Sequence, residues 1–253
     1  MSLQLDGRQR AMLEEMGLRV FAPQPSGRMD GTPPGPPRQA GGKADLRPAG
    51  PEAANAVATP RAMAEPKLPT TLDGLDWDAL QQSVAEFAAA RRRKAVFGTG
   101  DLRPDWLCIG EPPLEEEEHA GLPFAGEPGR LLDNMLAAVG ASRRQGAYLT
   151  NVLKCRLPQD RADEAAEVAQ SLAFLQRQVE LLQPRVILAM GRFAVQALLQ
   201  TGEPIGRLRG QVHRFHGLPV VASFHPAYLL RTPADKARAW ADLCLARSLL
   251  LSS

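Results

Sequence analysis

At 253 residues and 44% hydrophobic content, the chain has material for one well-buried domain with appendages, and two full-sized domains would be crowded. A formal net charge of +2 permits a nucleic-acid partner without arguing for one. No apolar run approaches the ~18 residues of a membrane helix and no basic-then-apolar leader opens the chain, so the expectation is a cytoplasmic protein away from membranes.

Taken in order, residues 8–18 have the spacing of a short helix, with Met12, Leu13 and Met16 on one side and Gly17 as its stop. A lone helix of that length is marginal, and a short amphipathic segment of this kind suits docking on a partner. Eleven of the 22 prolines fall between Pro23 and Pro69. Such a stretch buries too little apolar area to offset chain entropy, which predicts a disordered linker over 22–75 and a folded domain over 76–253.

The folded part opens with a helix over 76–93, burying Leu80, Val84, Phe87 and Ala88. Strand-like apolar runs follow at 106–109, 147–152, 185–190 and 218–224, separated by helical spacing at 129–139, 165–182 and 193–199. Residues 211–215 add a short strand before a turn at His216-Gly217, and 234–251 form a closing helix. Strands alternating with helices predict a three-layer α/β/α fold around a four-stranded parallel sheet. The three cysteines, Cys108, Cys155 and Cys244, are too few and scattered for a disulfide framework or a four-thiolate metal site. Cys108 and Cys244 lie in apolar runs and read as buried thiols.

In an open parallel sheet, ligands sit at the carboxyl ends of the strands. Three polar segments fall there: the loop 110–124 after the first strand, Asn151 at the end of the second, and His225 after the last. Their residue types suit a base taken out of a nucleic-acid stack. Phe124 offers a stacking face, Asn151 a donor and an acceptor for a base edge, and His225 a hydrogen bond to an oxygen gaining charge. Glu117 is placed to orient an attacking water or to stabilise a cationic sugar. Lys154, Arg156, Arg207, Arg209 and Arg231 lie near the same rim in sequence and are candidates to meet phosphates.

Gly110-Glu111-Pro112-Pro113-Leu114, Glu117 and Gly121-Leu122-Pro123-Phe124, then Asn151-Val152-Leu153-Lys154-Cys155-Arg156, then His225-Pro226-Ala227-Tyr228-Leu229-Leu230-Arg231 resemble three active-site segments of one family. They are those of the bacterial and archaeal uracil-DNA glycosylases that usually carry an iron-sulfur cluster. The resemblance spans roughly 96–231. It implies that Phe124, Asn151 and His225 hold uracil, that Glu117 assists the water, and that DNA is the partner of a monomeric domain. The chain departs from the pattern at Pro112 and Leu114, where the family has small residues, at Glu118 in place of Asp, and at Ala227 in place of Ser. Of the four thiolates such a cluster needs, only Cys155 is retained and Ser171 stands at the next ligand position, so no cofactor is expected.

Residues 13–21, Leu-Glu-Glu-Met-Gly-Leu-Arg-Val-Phe, are similar to the leading peptide of the psi subunit of bacterial DNA polymerase III. That similarity implies a clamp-loader partner contacted by Leu13, Met16 and Phe21. Two functions stand side by side: a cluster-free uracil-DNA glycosylase, and a psi-like replisome adaptor on a glycosylase fold. A glycosylase for another damaged base is a third.

Overall fold

The computed structural model describes residues 72–157 and 164–251, which belong to one unit spanning Pro66–Ser253. The expected N-terminal helix, its contact residues Leu13, Met16 and Phe21, and the linker up to residue 71 lie outside the described residues. Leu72 and Leu75, within the span read as linker, pack against a core cluster built on Leu80, Val84, Phe87 and Phe174.

Helix α1 (Trp77–Ala90) starts where Asp76 accepts a hydrogen bond from the Ala79 N–H at 2.9 Å and buries the four expected residues. The strands are β1 (Thr99–Gly100), β2 (Trp106–Gly110), β3 (Ala147–Asn151), β4 (Val186–Met190), β5 (Val212–Phe215) and β6 (Leu218–Ser223). They form one sheet in the order β1-β3-β2-β4-β6-β5. The four central strands are parallel, as expected, but β1 and β5 add antiparallel edges, so the sheet is mixed and six-stranded. A two-residue strand beside Gly98 and Gly100 carries no period-2 signal. The β5–β6 hairpin turns at His216 (φ 45°) and Gly217 (φ 83°), the positive pair that matches strand twist.

Every residue of β2, β3 and β4 is buried, the pattern of parallel strands covered on both faces. On one face Leu107, Ile109, Ile187, Ala189, Val220 and Ala222 pack with helices α4 (Glu164–Leu182) and α5 (Arg192–Leu199). On the other, α8 (Lys236–Leu251) lies across β4 and β6. The connections hold α2 (Glu115–Ala120), α3 (Gly126–Ala138), α6 (Ile205–Leu208) and α7 (Pro226–Arg231). The run Glu115–Ala120, read as loop, is therefore a short helix, and the segment after His225, given no element in the sequence, is another. Of the cysteines expected to be buried, Cys108 is, while Cys244 is only half-buried. No described helix is long and apolar enough to cross a membrane.

An ion pair locks the last strand to α8. Asp242 accepts from Ser223 Oγ at 2.8 Å and from Arg209 Nε and Nη2 at 2.8 and 2.7 Å, and the Arg209 guanidinium stacks 4.1 Å from the Phe224 ring centroid. Burial raises the Asp242 pKa, and the Ser223 and Arg209 hydrogen bonds oppose that shift. Removing one partner strands a buried charge, so Asp242→Ala is expected to cost about 3 kcal/mol of stability. Urea unfolding measures it; a midpoint unchanged from wild type contradicts the account.

Candidate active site

Parallel pairing aligns Gly110 with Asn151 at the ends of β2 and β3, and β6 delivers Phe224 and His225 to the same edge of the sheet. The three segments singled out in the sequence therefore converge.

Phe124 is held in an uncommon conformation, φ 51°. Its backbone is gripped at both ends. The N–H donates to Glu117 Oε1 at 2.5 Å, and the carbonyl accepts from Arg143 Nη2 at 3.0 Å, while Arg143 also donates to Pro123 O and Asp133. Two glycines give the residue room. A Cβ on Gly110 would come within 2.6 Å of the Phe124 ring, and one on Gly129 within 1.8 Å of its carbonyl oxygen. The ring is buried and lies nearly parallel to the His225 imidazole, 18° between planes and 5.5 Å between centroids.

Asn151 is 1% exposed. Its Nδ2 donates to Glu111 O at 2.7 Å and to Glu117 Oε1 at 3.3 Å, and these two acceptors fix which way the amide faces. Its Oδ1 is then, among the described residues, a buried acceptor with no partner. Leaving such an atom unpaired costs about 1–3 kcal/mol, which marks it as waiting for a donor. Glu117, 7% exposed, takes the Leu114 N–H at 2.9 Å on Oε2 as well. With three of a carboxylate's roughly four acceptor sites occupied by protein donors, Glu117 is first a brace between the loop, the aromatic ring and the asparagine.

His225 caps α7: its Nδ1 accepts from the Ala227 N–H at 3.3 Å, with Pro226 opening the helix. A neutral ring that accepts at Nδ1 carries its proton on Nε2. Burial, aided by the Arg231 charge, pushes the imidazole pKa down to about 4, so at neutral pH His225 is an uncharged donor.

The five basic candidates separate. Arg156, Arg207 and Arg231 are exposed, with Arg156 paired to Glu115 and Glu118. Lys154 and Arg209 are not phosphate ligands as the fold places them. Arg209 is committed to Asp242, and Lys154 is fully buried, donating to Thr150 Oγ1, Asn151 O and Gln178 Oε1. In sequence a lysine three residues past a strand end looks like rim; the turn after β3 folds its side chain inward instead.

Residues 97–244 match the Uracil DNA glycosylase superfamily. The chain belongs to this superfamily. It is 35% identical over 162 residues to the type-4 uracil-DNA glycosylase of Pyrobaculum aerophilum, covering 61% of this chain and 82% of that protein. The type-4 enzyme of Archaeoglobus fulgidus is 38% identical over 146 residues (54% and 73%), and that of Thermotoga maritima 37% over 149 (58% and 77%).

The iron-sulfur cluster implied by resemblance to these glycosylases does not fit the residues present. Near Cys155 and Ser171 stand Arg91, Arg93 and Glu167. Glu167 pairs with Arg91 Nε at 3.4 Å and Arg93 Nη1 at 3.1 Å, and Arg93 also donates to Arg156 O and lies 4.0 Å from Cys155 Sγ. Two guanidiniums are donors that cannot ligate iron, and burial raises the Cys155 pKa against thiolate formation. Among the described residues no group of three or more His, Cys, Asp or Glu is arranged to hold a metal. Besides Arg91, Arg93 and Glu167, sequence reasoning missed Arg143 and the role of the Glu111 carbonyl. None carries a local signal, because each acts on a residue 19 or more positions away.

Purified protein is expected to be colourless and folded, with neither iron nor sulfide, and Glu167→Ala to cost about 2–4 kcal/mol by leaving two partly buried arginines unpaired. Metal analysis and thermal unfolding check both; stoichiometric iron with visible absorption contradicts the first.

Proposed function

We propose that this chain hydrolyses the N-glycosidic bond of uracil in DNA, leaving an abasic site, without an iron-sulfur cluster. The observation that carries the reading is the Asn151 amide, with Nδ2 anchored and Oδ1 unpartnered. Uracil offers an N3–H donor to that oxygen, whereas the same ring position of cytosine is an acceptor and leaves Oδ1 unpaired. A site built around one buried hydrogen bond rejects the wrong partner by several powers of ten.

The chemistry follows from the charges. As the bond to C1′ lengthens, its electron pair moves onto the base, and negative charge gathers on the ring oxygens. His225, uncharged and protonated on Nε2, donates to one of them without a net positive charge to neutralise. Glu117, beyond its bracing hydrogen bonds, supplies negative charge on the side where the sugar becomes cationic and keeps an acceptor site for water. Phe124 supplies the aromatic wall, and exposed Arg156, Arg207 and Arg231 the phosphate contacts.

A second reading is a psi-like adaptor held to the clamp loader by residues 8–21, with little activity. The Pro112 and Leu114 departures favour it; Leu114 is 61% exposed at the start of α2. Uracil-containing oligonucleotides separate the readings. The glycosylase releases free uracil, an adaptor releases nothing, and a glycosylase for another base leaves uracil untouched while freeing its own target.

His225→Ala and Asn151→Ala are each expected to lower the single-turnover rate by about 100- to 1000-fold. Full rate in His225→Ala removes the role given to that residue. Because the folded imidazole titrates near 4, the wild-type rate stays level through pH 6.5 and falls only as pH approaches 4. Protonation there turns Nδ1 into a donor facing the Ala227 N–H. An inflection at pH 6.5 that His225→Ala abolishes contradicts the neutral-donor assignment.

A further inference from the structure

Lys154 is the one lysine with no exposure at all among the described residues, and the reading just given leaves it without a task. Its Nζ meets three oxygens: Gln178 Oε1 at 2.6 Å, Thr150 Oγ1 at 2.8 Å and Asn151 O at 3.0 Å. Each oxygen is an acceptor toward it. The Thr150 hydroxyl proton is directed to Phe97 O at 2.9 Å, and Gln178 Nε2 donates to the same carbonyl at 3.0 Å, which turns Oε1 to the lysine. Three acceptors match the three N–H bonds of an ammonium; a neutral amine would point a lone pair at one of them. Burial pulls the pKa down to about 7; the assignment of charge rests on the three acceptors, whose contacts favour the ammonium. No carboxylate among the described residues pairs with Lys154, so the charge is held by dipoles alone. An uncompensated buried cation is costly unless something else gains from it.

We propose that Lys154 is a positioning residue of the base site, a buried ammonium that fixes the Asn151 peptide and presents positive charge behind the slot the departing base occupies. The inference rests on the glycosylase reading. In the reaction the C1′–N1 bond breaks with its electron pair on the base; the water oxygen bonds to C1′, and one water proton finally reaches the base. Negative charge therefore appears on the ring that Asn151 reads, and the cation sits 3.0 Å from that residue's carbonyl oxygen. Attraction across a low-dielectric interior acts on the anion far more than on the neutral base, so the charge favours the transition state over bound substrate. It acts from a fixed place, with no reorganisation during the reaction.

The test compares wild type, Lys154→Met and Gln178→Glu on DNA carrying uracil and on DNA carrying 5-fluorouracil, whose anion needs less stabilisation. Gln178→Glu matters because Lys154→Met leaves three buried acceptors unpaired and can fail to fold. The glutamate keeps the size and neutralises the cation in place; it gives up the Nε2 hydrogen bond to Phe97 O, which still accepts from Thr150 Oγ1. Expected for Gln178→Glu are a native circular dichroism spectrum, a KM close to wild type, and a single-turnover rate for uracil reduced on the order of 10-fold or more. For 5-fluorouracil the loss is smaller, and a purely structural lesion would slow both substrates alike. Equal losses on the two substrates, or no loss, overturn the proposal while leaving the glycosylase reading intact. So does a 13Cε chemical shift showing Lys154 neutral at pH 6 in the active protein. A wild type that releases neither base overturns both.

Discussion

The Glu117 carboxylate is the constraint on which the site depends. It joins the Leu114 N–H at the start of its own helix and the Phe124 N–H beyond the helix's end to the Asn151 amide at the end of β3. Phe124 cannot hold a positive φ for nothing; the hydrogen bond on one side and Arg143 on the other offset that strain and fix the ring's plane. Asn151, in turn, has its amide orientation set by the Glu111 carbonyl and by this same carboxylate. A single buried charge thus does for two strand ends what a rigid scaffold alone does not, because backbone pairing aligns Cα atoms but leaves side chains free to rotate.

The mechanical problem on the far side of the Asn151 segment is solved by ion pairs. The Arg91, Arg93 and Glu167 group ties the end of α1, the turn holding Cys155 and Arg156, and helix α4. The side chains are mostly buried, so the pairs are screened less by salt than surface bridges. A metal cluster and a network of charged hydrogen bonds are chemically unrelated, yet each holds separate segments at fixed distances.

At the same strand ends the protein holds two groups in uncommon states. Burial, aided by Arg231, pushes the His225 pKa down to about 4, so its ring stays uncharged well below neutral pH. Asn151 keeps one acceptor without a partner among the described residues although burial makes that unfavourable. That unpaired oxygen costs stability. The Arg209–Asp242–Ser223 group offsets part of that cost by fixing the strand end that carries His225.

Much of this was legible in the chain. Apolar runs separated by helical spacing specified the four parallel strands, and the position of the polar segments at their ends specified the rim, because strand period and connection handedness leave few alternatives. Phe124, Asn151, Glu117 and His225 carried a recognisable order and spacing. What spacing could not decide was the direction of each side chain. Lys154 and Arg156 are two residues apart, yet one is wholly buried and the other faces solvent, and Arg209 and Arg207 divide the same way. The edge strand β1 escaped in the sequence because two residues carry too little periodic signal, whereas β5 was read there within one residue, at 211–215. Sequence by itself determined which residues reach the rim, since that follows from local pattern and chain order. Only the tertiary structure decided which of them stay exposed at the rim and which hold the others in place, because a charge is buried or exposed according to partners many residues distant.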